Sequence, residues 1–266
     1  MTRGYAPRAA VTAEADASGR TRLTRLRSDG PLAVRATADA VYLVGAAASP
    51  LGGDDLELEL AVGPGAALAI RSAATTLALP GAGESRMTVR ASVGAGGRLD
   101  YAPEPTVAAR GCRHRAAAVV ELAAGAALRW REELVLGRHG EAPGRHVSRF
   151  DVTCDGRPLL RHELVLDDPA VYGSAAVLDG ARTVGSVLLV DGGLCREPHA
   201  EDGLAVLPLA GPGVLVTATA PDSAVLRRRL RAGEAIARAQ TPADAPAASA
   251  GTAVRPTEQT SSSVPL

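Results

Sequence analysis

A repeated pattern around a glycine turn constrains the fold more than any other feature of this sequence. Val62-x-x-Gly65-x-x-Leu68-x-Ile70 recurs as Val93-x-x-Gly96-x-x-Leu99-x-Tyr101 and again as Leu122-x-x-Gly125-x-x-Leu128-x-Trp130, so the glycines lie 31 and 29 residues apart. Each copy predicts a strand, a tight turn and a second strand. A hairpin of this size cannot bury its apolar face alone. We therefore expect an all-β protein in which hairpins stack into a layered, β-helix-like architecture.

Strand and turn signals continue outside the repeat. In Leu56-Glu-Leu-Glu-Leu60 apolar and acidic residues alternate, which is typical of a half-buried strand. Turn sequences such as Pro80-Gly81, Asp155-Gly156 and Gly211-Pro212-Gly213 recur too closely to leave room for long helices before Thr219.

The end of the chain differs in composition. A helix is predicted near 223–239, with Asp222 or Ser223 as its N-cap. Its apolar stripe consists of Leu226, Leu230, Gly233 and Ala237. The helix also carries an arginine cluster, which predicts either a solvated face or a docking surface for an acidic partner. The members of the cluster are Arg227, Arg228, Arg229 and Arg231. The predicted organisation is a flexible segment over 1–20, a single domain over 21–240 and a disordered tail over 241–266, which is rich in Pro, Ala, Ser and Thr.

Charge and cysteine usage exclude several classes of protein. The 266 residues carry 29 basic and 29 acidic side chains, and every basic one is Arg, so the chain lacks the positive field of a general nucleic-acid-binding protein. No apolar run is long enough to span a membrane, and residues 1–20 contain no apolar core of a secretory signal. Three cysteines far apart in the sequence suit a reducing compartment. We expect a cytoplasmic protein.

Catalytic motifs are missing from the sequence. There is no G-x-S-x-G nucleophile elbow, no H-E-x-x-H zinc motif and no Lys for a P-loop. Acidic pairs such as Glu132-Glu133 are sequence neighbours, whose side chains point to opposite faces of a strand and so make poor acid/base dyads.

Three places carry metal-ligating residue types. Cys112 and His114 are two residues apart and therefore share one face of a strand. The other two are loop sequences, one with His139, Glu141 and His146 and one with Cys195, Glu197, His199, Glu201 and Asp202. None has the spacing of a closed structural site, so we expect at most a weak, transient site for a borderline ion such as nickel or zinc.

The order of several motifs resembles the urease accessory protein D family, over about residues 21–230. The segments that carry the resemblance are Val41-Tyr-Leu-Val-Gly45, Pro50-Leu-Gly52-Gly53-Asp54, Leu56-Glu-Leu-Glu-Leu60, Gly65-Ala66, Arg71-Ser-Ala-Ala-Thr-Thr76, Leu99-Asp-Tyr-Ala-Pro103-Glu104, Trp130-Arg-Glu132, Gly137-Arg138, Gly140-Glu141 and Asp155-Gly-Arg-Pro-Leu159. The sequence departs from the family pattern in two places and therefore resembles a divergent branch. It has Leu77-Ala-Leu-Pro80 where many members have a Lys-aromatic-Tyr run, and Pro103-Glu104-Pro105 where many have Pro-Gln-Glu.

The resemblance implies a non-enzymatic chaperone that binds no cofactor tightly. Such a chaperone acts on the urease apoprotein with an F-type accessory protein and a G-type GTPase, and nickel passes through it transiently by way of an interior tunnel. Residues that match the family motifs, or could contact partners, are Gly52, Gly53, Asp54, Gly137, Arg138 and Gly140. Candidate residues along the nickel path are Glu104, Glu132, Glu141, Cys112 and His114.

Two other functions remain open from the sequence. A stand-alone β-solenoid module that binds carbohydrate or protein would need an aromatic platform on one face. A metallohydrolase would use His139, Glu141 and His146 and would hold its metal tightly.

Overall fold

The computed structural model describes residues 4–239, and the predicted tail over 241–266 lies outside them. Strand residues greatly outnumber helical ones, and α2 is the one helix longer than four residues in the described part, as predicted. The elements are β1 (Arg8–Ala15), β2 (Thr21–Arg27), β3 (Leu32–Ala36), β4 (Val41–Gly45), β5 (Asp55–Val62), β6 (Ala67–Ser72), β7 (Thr76–Ala78), β8 (Ser85–Val93), β9 (Arg98–Tyr101), β10 (Thr106–Ala108), β11 (Arg113–Leu122), β12 (Ala127–Leu136), β13 (Arg145–Cys154), β14 (Arg157–Leu166), α1 (Pro169–Tyr172), β15 (Thr183–Val190), β16 (His199–Glu201), β17 (Leu204–Pro208), β18 (Gly213–Ala220) and α2 (Ser223–Arg238).

Two large sheets enclose the core. The first has the strand order β14-β13-β11-β8-β5-β1-β2, and the second has the order β16-β17-β18-β15-β12-β9-β6-β4-β3. The chain passes from one sheet to the other at each repeat, and equivalent strands of successive repeats pair in parallel, β5 with β8 with β11 and β6 with β9 with β12. This winding is β-helix-like, as the repeat predicts.

The predicted hairpins are wrong in one respect. The two strands of each repeat copy do not pair with each other, because the glycine turn between them carries the chain across to the opposite sheet. In each turn the fourth residue donates its N–H to the first residue's carbonyl, for example Ala126 to Ala123 at 3.0 Å. The third position, here Gly125, has a φ of +74°, a conformation that favours glycine. Strand, turn and strand are therefore one half of a coil.

The N-terminal prediction is also wrong over residues 8–15. These residues form β1, which lies between β5 and β2 and pairs in parallel with β5. Its Ala9, Val11 and Ala13 are buried in the main apolar cluster.

Apolar side chains between the sheets form two separate clusters. The larger one contains a stack of aromatic rings in which Trp130 lies 3.9 Å from Tyr101 and 5.4 Å from Phe150, measured between ring centres. The smaller one gathers around Leu134, Leu136 and Leu166. The candidate site lies between these two clusters.

Helix α2 covers the outer face of the second sheet. Asp222 is its N-cap and accepts a 2.8 Å hydrogen bond from the Val225 N–H. Its buried residues are Leu226, Leu230, Gly233 and Ala237, which confirms the predicted stripe. They pack on strands β15 and β18, which are buried on both faces. No helix within residues 4–239 is long and apolar enough to cross a membrane.

Candidate functional site

Glu132 is the candidate carboxylate that lies inside the β-helix. It shares the inward face of β12 with Trp130, whose indole N–H donates a 2.8 Å hydrogen bond to its Oε1. The neighbouring Glu133 points outward, as expected for adjacent strand residues, and pairs with Arg227 of α2 at 3.0 Å and with Arg131 at 3.0 Å. The two carboxylates therefore have different environments, one without a basic partner and one between two guanidinium groups.

A polar layer surrounds Glu132 and separates the two apolar clusters. Trp130 contacts Phe150 across the interior, and Glu132 and Ser148 each lie two residues from one of these rings, on the inward faces of β12 and β13. The polar side chains of this layer are Ser148 on one sheet and Glu132 and Ser186, in register, on the other, and the apolar Met87 and Ala116 lie in register with Ser148. All five face inward yet keep accessible surface, whereas their inward-facing neighbours in the larger cluster are buried.

Burial sets the protonation of Glu132. Desolvation raises the pKa of its carboxyl group above the usual value, and the hydrogen bond from the Trp130 indole opposes that rise. Burial also raises the pKa of Tyr101, and the negative charge of Glu132 adds to that rise. A cation bound at this carboxyl group would compete with its proton.

Glu104 and Glu141 lie on the outside instead. Glu104 accepts a 2.6 Å hydrogen bond from Arg227, and Glu141 accepts hydrogen bonds of 2.8 Å from Arg138. That bonding lowers the pKa of Glu141 to about 2. Both side chains are thus held by arginine, and neither faces the polar layer.

A surface groove of about 420 Å³ brings several motif residues together. Its lining includes Glu104, Gly137, Arg138, His139 and Arg227, at the start of α2. The position of Gly137 favours glycine because its φ is +75° and because a Cβ there would lie 2.7 Å from the Glu141 carbonyl oxygen. Gly140, the other glycine of this motif, also has a positive φ of +69° at an exposed turn.

The Gly52-Gly53-Asp54 motif has a packing role. Asp54 is buried, and its carboxylate accepts hydrogen bonds from the Tyr5 N–H, the Leu51 N–H and the Ser49 hydroxyl. A Cβ on Gly52 would lie 2.6 Å from the backbone nitrogen of Gly81 in the next coil. These contacts within the chain explain why Gly52 and Asp54 occupy these positions, without a contact to a partner protein.

Cys112 and His114 are both buried, and the structure adds His146 to them. Burial raises the pKa of the Cys112 thiol to about 11, so it is protonated at neutral pH. His114 pairs in register with His146 on the adjacent strand, with ring centres 5.5 Å apart. The sequence placed these two histidines in different candidate sites, and their shared inward face becomes visible only through the parallel pairing of β11 with β13.

The residues proposed for the alternatives do not assemble. His139 is exposed in the surface groove and His146 is buried, so the triad of a metallohydrolase does not form. Within residues 4–239 no three His, Cys, Asp or Glu side chains are grouped to hold a metal, which includes the segment around Cys195 and His199. Tyr101, Trp130 and Phe150 lie in the core and offer no aromatic platform.

The fold and the site define a β-helical protein with a carboxylate-bearing polar layer in its interior. A family model described as "UreD urease accessory protein" matches residues 7–250. A protein of Parafrankia sp. named urease accessory protein UreD is 47% identical over 84% of this chain and 86% of its own length. Proteins of the same name from Streptomyces coelicolor and Frankia casuarinae are 45% and 42% identical over 85% and 86% of this chain, and over 94% and 88% of their own lengths.

The chain belongs to the UreD urease accessory protein family. Membership implies a role in urease maturation, and the relatives are named as accessory proteins rather than enzymes. The expected resemblance is confirmed, and a stand-alone carbohydrate-binding module is not favoured.

Proposed function

We propose that this chain is a cytoplasmic chaperone that passes nickel to apo-urease, in a complex with an F-type accessory protein and a G-type GTPase. The observation that carries the proposal is the position of Glu132 in the polar layer, between two apolar clusters and without a basic partner. Nickel is the cargo, and no cofactor is held permanently.

Weak oxygen ligands suit an ion in transit. A closed tetrahedral set of thiolates and imidazoles would trap the ion, whereas a single carboxylate with hydroxyl groups nearby binds it loosely enough to release it. Ser186 pairs with Glu132 on one side and with Thr217 of β18 on the other, and all three are incompletely buried. Glu132, Ser186 and Thr217 thus form a polar row across three neighbouring strands of the second sheet, and the ion would move along this row.

Glu104 and Glu141 would act only after their arginine pairs open. Nickel binding at either carboxylate would have to displace Arg227 or Arg138, so we assign them a lesser role than Glu132. Replacing Glu141 by Ala should lower urease activation, but by less than a change at Glu132.

The experiment compares Glu132→Gln with Glu121→Gln in urease activation at limiting nickel. Glutamine keeps the size of the side chain and can still accept from the Trp130 indole, but it loses the negative charge. Glu121 is an exposed, outward-facing residue of β11 and serves as the matched control. We expect activation to fall several-fold with Glu132→Gln and to stay at the wild-type level with Glu121→Gln. Equal activation by both variants would remove Glu132 from the path.

A further inference from the structure

Three polar side chains form one row beside the polar layer. Ser85, His114 and His146 are in register on β8, β11 and β13, face inward and are at most 4% exposed. The row lies two residues from Met87, Ala116 and Ser148 on the same strands, which is about 6.6 Å along a strand. It separates the polar layer from the smaller apolar cluster, and the path through Glu132 does not use it.

Hydrogen bonding leaves imidazole nitrogens with free lone pairs. The Ser85 hydroxyl lies 2.9 Å from His114 Nδ1 and donates to the Arg113 carbonyl at 3.4 Å. In the tautomer in which His114 Nδ1 donates to this hydroxyl, the lone pair of the ring lies on Nε2. His146 Nδ1 is buried and has no hydrogen-bond partner among the described residues. Burying such an atom unpaired is costly, and a ligand would remove that cost.

We propose that His114 and His146 form a two-imidazole holding site for a borderline divalent cation, nickel in particular, next to the polar layer. Two imidazoles that share one ion through bonds of about 2.1 Å at a tetrahedral angle have ring centres about 5 Å apart. The observed separation of 5.5 Å is close to that spacing. This site deepens the proposed function, and its role in urease maturation rests on it.

The electrostatic environment suits imidazole ligands. Burial lowers the pKa of His114 to about 4 and that of His146 to about 3, so both rings are neutral at pH 7, the form that binds metals. Glu84 partly opposes the shift at His114, and each histidine disfavours a charge on the other. With only two protein ligands the remaining positions stay open, so the ion can leave toward Glu132.

The test is nickel K-edge X-ray absorption on the full chain co-purified with the F-type partner, with the partner alone as background. Nickel is added below one equivalent. We expect the multiple-scattering signature of imidazole in the wild-type complex. A variant with His139, His162 and His199 changed to Gln removes the other histidines of this chain and should keep the signature. His114→Gln/His146→Gln should lose it and bind nickel at least tenfold more weakly.

Ser85→Ala tests the positioning of His114. It removes the hydroxyl group that lies 2.9 Å from His114 Nδ1 and should weaken nickel binding about tenfold, as outer-shell changes do. Oxygen ligation alone in the wild-type complex, or loss of the imidazole signature in the His139/His162/His199 variant, would overturn the site even if the double variant fails to fold. Nickel bound by the pair in a chain that does not support urease activation would leave the site standing and refute its proposed use.

Discussion

The indole N–H of Trp130 donates a 2.8 Å hydrogen bond to the carboxylate of Glu132, two residues further along the same strand. Both side chains face the interior, where Trp130 also stacks on Tyr101. A hydrogen bond to a charged acceptor in a poorly solvated site is stronger than one between neutral groups in water. The bond therefore couples the aromatic stack to the carboxylate that we place on the nickel path.

Nickel that reaches Glu132 should quench the fluorescence of Trp130. This is the single tryptophan of the chain, and its ring nitrogen is in direct contact with the proposed ligand. We expect stepwise addition of Ni²⁺ to lower the emission excited at 295 nm and Mg²⁺ to leave it unchanged, because Mg²⁺ lacks the partly filled d shell through which Ni²⁺ quenches an indole. Trp130→Phe provides the background from any partner protein, and Glu132→Gln should abolish most of the quenching. Quenching of equal depth in Glu132→Gln would show that the ion lies elsewhere.

Acid should destabilise the folded chain through His114 and His146. Their pKa values lie near 4 and 3 in the folded state and near 6.5 when exposed, so the unfolded state binds more protons between these limits. The free energy of unfolding is therefore expected to fall as the pH drops below 6.5, by up to about 1.4 kcal/mol per pH unit for each histidine.

Urea unfolding followed by circular dichroism at pH 7 and pH 5 measures this effect. The difference should shrink in the His114→Gln/His146→Gln variant. Glu132 has the opposite effect on stability, because its raised pKa in the folded state makes that state hold the proton more tightly. Glu132→Gln should therefore make the free energy of unfolding fall more steeply as the pH drops. An acid response that is unchanged in the double histidine variant would contradict the burial of the pair.

Two glycine substitutions should differ in cost for a structural reason. Gly125→Ala meets no atom within 4 Å but must adopt a φ of +74°, which costs about 1–2 kcal/mol. Gly52→Ala has no positive φ, yet its Cβ would lie 2.6 Å from the Gly81 backbone, so two coils must move apart. We expect the larger loss of stability at Gly52, measured as the urea midpoint of each variant. A Gly125 variant less stable than the Gly52 variant would argue against the close coil contact.

The isolated chain should be poorly soluble, and co-expression with the F-type partner should raise its soluble fraction. Strand β2 lies at the edge of the first sheet with every residue exposed, including Leu23 and Leu26. Exposed strand edges with apolar side chains promote association between chains. The soluble fraction after expression with and without the partner checks this. A chain that is monodisperse alone at high concentration would remove the argument for partner dependence.

Local patterns predicted those parts of the fold that depend on one stretch of chain. The alternation in Leu56–Leu60 and the stripe from Leu226 to Ala237 both follow from the period of a strand or a helix, and both are observed. The choice of pairing partner is not local. A glycine turn such as that at Gly125 fits a hairpin or a β-helix corner equally well, and only the contacts between copies distinguish them.

The site was predictable to the same extent. Alternation along β12 puts Trp130 and Glu132 on one face and Glu133 on the other, so the inward position of Glu132 could be inferred from the apolar character of Trp130. The approach of His114 to His146 could not, because it depends on register between strands 32 residues apart. Strand β1 was missed because alanine and charged residues give residues 8–15 little apolar signal, although alanine is small enough to be buried between neighbouring strands.

The most direct test of the proposed function is the activation of purified apo-urease by the F-type and G-type proteins, GTP, bicarbonate and limiting nickel, with and without this chain. The nickel content per urease active site and the urease activity are measured together. We predict that both rise only when the chain is present and that Glu132→Gln reduces both in parallel. Full nickel loading and activity in the mixture without the chain would contradict its role as the nickel-passing chaperone.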